Sequence, residues 1–100
     1  MAILVIPHCC QINDIYLHNF ITLGARFVDQ EQIKKEEYPF ISAIREKFME
    51  HKDVEILNPF NKLREADNSH PVYFQNDEHL TQFGQKIVAD FIIDQLKLNK

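Results

Sequence analysis

Only two stretches of this chain read as β-strands, and two helical segments lie between them. Ala2–Ile6 is a continuous apolar run closed by Pro7, and Val54–Leu57 is a second short run that alternates enough to be half buried. Strands joined by a long helical crossover lie parallel, with a right-handed connection. Two strands make an unusually narrow parallel sheet, since such sheets are normally covered on both faces. At least one strand edge is therefore expected to be open, and the chain is expected to be part of something larger.

The intervening sequence has helical periodicity. Ile12, Ile15, Tyr16, Phe20 and Leu23 recur at spacings of three to four within Gln11–Gly24, with Gly24 placed to end that helix. Asp29–Tyr38 is charged and reads as a solvated loop or short helix. Pro39 opens a helix through about His51, with Phe40, Ile41, Ile44 and Phe48 inward. Pro59–Ala66 predicts a helical turn, Asp67–Pro71 a turn and Val72–Phe74 a brief extended piece. The clearest helix runs from Thr81 to about Lys97, with Phe83, Ile87, Val88, Phe91, Ile92 and Leu96 on one face.

Composition narrows the function. The 100 residues allow one domain, and 45% hydrophobic content with eight Phe excludes a disordered main state. A net charge of −4 leaves no basic footprint for nucleic acid, and no Lys/Arg run suggests a membrane surface. The apolar N-terminus lacks a basic flank and falls far short of the roughly 20 residues a spanning helix needs. Read literally, the chain is soluble and unexported; its localisation is left open, cytoplasmic only if the chain is complete as given. The location of any parent protein is left open. Cys9 and Cys10 are adjacent, so they cannot close a loop as a disulfide, and they are expected to be reduced and packed near a strand end.

The densest polar cluster is Gln75-Asn76-Asp77-Glu78-His79, just before the last helix. Imidazole is the usual base for activating a hydroxyl, and it needs a carboxylate on its other nitrogen. Residues i and i+2 of an extended loop point the same way, so Asp77 can reach His79 locally. The plainer alternative is a solvated loop in which Asp77 or Thr81 caps the helix.

The stretch Tyr73 to Ala89 resembles the last motif block of the SGNH-hydrolase (GDSL-type esterase and acyltransferase) superfamily. There an aspartate lies two or three residues before the catalytic histidine, and a glycine and an alanine-bearing helix follow. Leu4-Val-Ile-Pro7-His-Cys-Cys-Gln11-Ile resembles a strand segment of polysaccharide-linked members. The resemblance implies that His79 matches the catalytic base and Asp77 its orienting acid, with Gly84 allowing close packing at the first turn of the helix. The commoner acid position holds Asn76, which has no carboxylate. The family's Gly-Asp-Ser nucleophile block and its oxyanion donors have no counterpart. The two serines, Ser42 and Ser69, fall in a predicted helix and a polar turn, unlike a nucleophile elbow.

The resemblance therefore implies that residues 1–100 form a single partial domain, the C-terminal half. The expected fold class is α/β: a partial flavodoxin-like three-layer α/β/α arrangement with about two parallel strands and about three to four helices. The implied function is ester hydrolysis or acyl transfer, including O-acyl groups on carbohydrate, with the isolated chain inactive for want of a serine. The resemblance implies an ester substrate and the missing N-terminal half as partners; the open apolar edge offers a self-associated copy as the alternative to that half. No cofactor is expected. The alternative is a small non-enzymatic α/β interaction module that adds strands across its open edge.

Two other chemistries are weaker. A Cys9 or Cys10 nucleophile is conceivable at the end of the first strand, with a base from the Asp77–His79 loop or, nearer, His8. A metal site among His8, Cys9, Cys10, His18, His51, His70 and His79 is not expected. None shows Cys-x2–4-Cys or His-x3-His spacing, and adjacent cysteines chelate one tetrahedral ion poorly.

Overall fold

The computed structural model describes residues 1–28 and 30–98; Asp29, where the expected charged stretch begins, lies outside the described residues. β1 (Ala2–Leu4) and β2 (Glu55–Leu57) pair in parallel, with Ala2 opposite Glu55 and Leu4 opposite Leu57. The pairing extends by one bond at each end. Val5 N–H donates to the Leu57 carbonyl at 3.0 Å, and the N-terminal ammonium donates to the Asp53 carbonyl at 2.8 Å. Pro7 has no N–H to continue the ladder, and the chain turns away there.

The helix expected over Gln11–Gly24 is two helices, α1 (Cys9–Ile12) and α2 (Asp14–Thr22). The break is Asn13, which is extended (φ −151°, ψ 142°) and caps both. Its side chain accepts the Ile15 N–H, an alternative that Asn offers the backbone in place of a helical bond. Gly24 ends α2 at φ +103°, where its N–H reaches the Ile21 carbonyl and the next N–H reaches Phe20, a Schellman closure.

α3 (Gln30–Ile33) is one turn, and α4 (Pro39–Lys47) follows with proline in its first turn. Ile41 is buried there, but Phe40 is 61% exposed, contrary to the inward placement expected for it. The two are adjacent, about 100° apart around a helix, so one apolar stripe cannot hold both. α5 (Phe60–Asp67) is a full helix where a single turn was expected, burying Phe60 and Leu63. α6 (Gln82–Leu98) packs on α5 through a face that includes Val88; Leu96, expected on that face, is 44% exposed.

The flavodoxin-like three-layer expectation is not met. The chain is 52% helix and 8% strand, with two short parallel strands and six helices among the described residues. Strands of three residues are only about 10 Å long, too short to seat a helix layer on each face. The core lies instead where α1 meets α2 and where α5 meets α6, around Cys9, Tyr16, Ile41, Phe60, Leu63 and Tyr73.

The molecule is thin and open for its size. Its extents are 43 × 28 × 17 Å and its radius of gyration is 14.4 Å, against about 13 Å for a typical folded chain of this length. Its accessible surface is 6976 Å², whereas a folded monomer of 11.9 kDa exposes about 6,000 Å². Some of that surplus is apolar: Val28, Phe40, Met49 and Phe74 are all more than half exposed.

Candidate active site

The site begins with the rigid base of a loop. After α5 the chain turns back, and Tyr73 and Leu80 form an antiparallel bridge that pinches off the segment between them. Phe74 N–H donates to the His79 carbonyl at 3.1 Å, and Thr81 N–H to the Val72 carbonyl at 2.9 Å. Thr81 Oγ1 then accepts the Gly84 N–H at 3.1 Å and caps α6. The capping role foreseen for Asp77 or Thr81 thus falls to Thr81.

Hydrogen bonds among partly buried polar groups hold this base. Asp67 accepts from Tyr16 OH at 2.6 Å, Asn13 Nδ2 at 2.8 Å and Val72 N–H at 3.0 Å. The Tyr73 hydroxyl donates to the Pro7 carbonyl, tying the loop base to the end of the β1 segment. Burial pushes the Tyr16 phenol up to about 12 and raises Tyr73 as well, so both stay protonated donors near neutrality. Local spacing does not announce this knot, because Asn13 and Tyr16 lie more than fifty residues from Asp67 in sequence.

At the tip, Asp77 Oδ1 bonds His79 Nδ1 and also accepts the His79 N–H at 2.9 Å. The second bond is an Asx turn, which sets the loop conformation that brings the side chains together. The i, i+2 pairing expected from sequence is therefore present. The hydrogen bond from the His79 ring, followed by that from its backbone N–H, lowers the Asp77 carboxyl below its ordinary value. With Nδ1–H directed at the carboxylate, Nε2 carries the free lone pair. The His79 side chain is 83% exposed, so that lone pair meets water.

Glu78, between the two, reaches the other way. Its Oε1 lies 3.5 Å from His8 Nε2, which places the loop against the carboxyl end of the β1 segment. Beside the loop base is a groove of ≈ 490 Å³ between α2 and residues 71–75, with Ile15, Pro71 and Phe74 as its apolar wall and Asn13, Gln75 and Thr81 as polar groups.

The other sequence candidates are not assembled into a nucleophilic site. Ser42 is on α4. Ser69 Oγ donates to the Ala66 carbonyl at 3.0 Å, and its contact with His70 Nδ1, at 3.5 Å, is at the limit of a hydrogen bond. Among the described residues, neither serine bonds to His79. Cys9 Sγ does approach His8 Nδ1, at 3.8 Å. Both thiols are buried, and desolvation pushes Cys9 up to about 12 and raises Cys10. A nucleophilic cysteine needs the opposite shift. Comparison with known proteins finds no matching family model, no matching curated protein and no matching solved structure.

Proposed function

We propose that the chain carries the base and its orienting acid of an SGNH-type ester hydrolase or acyltransferase, and that it acts only with a partner supplying the nucleophile. The observation that carries this reading is the Asp77–His79 pair. Its carboxylate engages Nδ1, its Nε2 is free, and its loop is braced by the Asp67 knot. In the assembled site His79 Nε2 takes the proton of a serine hydroxyl as the oxygen attacks the ester carbonyl. The imidazolium, held by Asp77, returns that proton to the departing alkoxide. Water or an acceptor hydroxyl then releases the acyl group by the same steps. In this reading the groove beside Phe74 takes part of the ester, a class that includes carbohydrate O-acyl groups. The oxyanion donors belong to the partner as well.

The open surface supports a missing partner. The surplus over a typical monomer is about 1,000 Å², comparable with the roughly 800 Å² that each side of a standard interface loses. A second reading, a non-enzymatic interaction module, draws on the same surface and on the Asx turn that gives Asp77 a structural role.

Ester turnover separates the two. The chain alone is expected to hydrolyse a chromogenic short-chain ester no faster than free imidazole. Mixed with a segment bearing a Gly-Asp-Ser block, it is expected to gain turnover that saturates with segment concentration. Binding of the segment without any turnover would favour the module.

A further inference from the structure

We infer that His8, Cys9 and Cys10 form a binding site for a soft, three-coordinate metal ion of the copper(I) class. Their donor atoms, His8 Nδ1 and the two Sγ, all lie within 4.8 Å of one another. Cys9 Sγ and His8 Nδ1 are 3.8 Å apart. Two donors held at about 2.0–2.3 Å by one ion sit about 3.5–3.9 Å apart, so this pair is already at ligand spacing. The objection to adjacent cysteines concerns tetrahedral ions. No fourth donor joins this cluster among the described residues, and two soft thiolates with one imidazole suit an ion content with three ligands.

The second observation is the partner of His8. A metal-bound imidazole commonly donates its other ring N–H to a carboxylate, which fixes the tautomer and raises ligand basicity. His8 Nδ1 accepts the Cys10 N–H at 3.2 Å, so the ring proton sits on Nε2, 3.5 Å from Glu78 Oε1, a contact at the limit of a hydrogen bond. That tautomer leaves Nδ1 as the ring's acceptor; its lone pair is held by the Cys10 N–H, with Cys9 Sγ 3.8 Å away. Both sulfurs are buried, which shields a bound soft ion from water and oxidant. Binding exchanges two thiol protons for the ion and replaces the Cys10 amide at Nδ1; no electron is transferred. Glu78 lies between Asp77 and His79, so an ion on His8 would also fix the loop that carries the candidate base. The site stands independently of the ester reading, because none of its three ligands takes part in that reaction.

The test is titration of the reduced full chain with copper(I) against a chromophoric copper(I) chelator, and with zinc(II) in a parallel arm. One equivalent of copper(I) is expected to bind, with zinc(II) weaker for want of a fourth ligand. C9S and C10S are each expected to lose at least about a hundredfold in affinity. H8N keeps a helix-capping acceptor but is a poor soft ligand, and it is expected to lose about tenfold or more. E78Q is expected to lose about 10–100-fold. X-ray absorption on the loaded wild-type chain needs no variant, and two sulfurs with one nitrogen around copper are expected. A shell of oxygen and nitrogen alone, or the same affinity in the C9S/C10S double variant, would overturn the site.

Discussion

At the scale of single residues the account rests on a short-range contact. Asp77 reaches His79 because an Asx turn needs only two residues, so the pair could be read from sequence. Its electrostatic consequence is testable. The Asp77 carboxyl sits below its ordinary value because the His79 ring, and then its N–H, bond to the charged form. A carboxyl depressed in the folded state contributes stability above its unfolded pKa, and that contribution is lost as pH falls through the folded value. The window for Asp77 therefore lies on the acid side of about 3.8. In a carbon-detected NMR titration, Asp77 is expected to have a midpoint below the ordinary carboxylate value, and H79Q is expected to move it upward. An Asp77 midpoint unchanged by H79Q would show that the ring does not hold the carboxylate.

The less legible residues were those whose partners are far away. Cys9 and Cys10 were expected to be buried and reduced, as they are, but the pairing of His8 with Glu78 spans seventy residues and leaves no mark in local spacing. Asp67 looked like turn chemistry. Its three hydrogen bonds to Asn13, Tyr16 and Val72 became visible only once α2 and α5 were in place.

At the scale of elements, Gly84 makes the sharpest prediction. A Cβ there would lie 2.1 Å from the Val72 carbonyl oxygen, a backbone atom that cannot swing aside. That carbonyl also accepts the Thr81 N–H at the base of the loop. G84A is expected to destabilise by about 1–3 kcal/mol or more, since overpacking forces backbone shifts. It should also disturb the Asp77–His79 loop. Gly24 is the contrast. Open space surrounds it, and only its φ of +103° disfavours a side chain, so G24A is expected to cost about 1–2 kcal/mol without touching the loop. Denaturant midpoints, with the Asp77 and His79 NMR signals as the second readout, would check both; equal effects on the loop would argue against the close helix–loop contact. The elements themselves were legible where periodicity was long, as in α6. They were misread where a polar residue intervened, as at Asn13, or where a proline signalled only a turn, as before α5.

At the scale of the whole molecule, the parallel pairing of β1 and β2 followed from the crossover, but the layered architecture did not. Chain order fixed the direction of the strands; their three-residue lengths, which fixed the number of layers, came from tertiary packing that no local pattern encodes. The resulting slab has surface left to cover. Anything that binds only the folded chain stabilises it by RT ln(1 + [L]/Kd), about 2.7 kcal/mol at a hundredfold excess over Kd. A complementary Gly-Asp-Ser segment is therefore expected to raise the thermal midpoint in proportion to the logarithm of its concentration. A midpoint that does not respond to the segment would remove the case for that partner.

His79 is proposed as a base that waits for a nucleophile. Its most direct test is the turnover number for a chromogenic ester in the saturated mixture of chain and Gly-Asp-Ser segment, with wild-type His79 and with H79A. The account predicts a loss of about 10²- to 10⁴-fold, the contribution of a positioned general base, with binding of the segment unchanged. Turnover within twofold of wild type in the H79A mixture would contradict it.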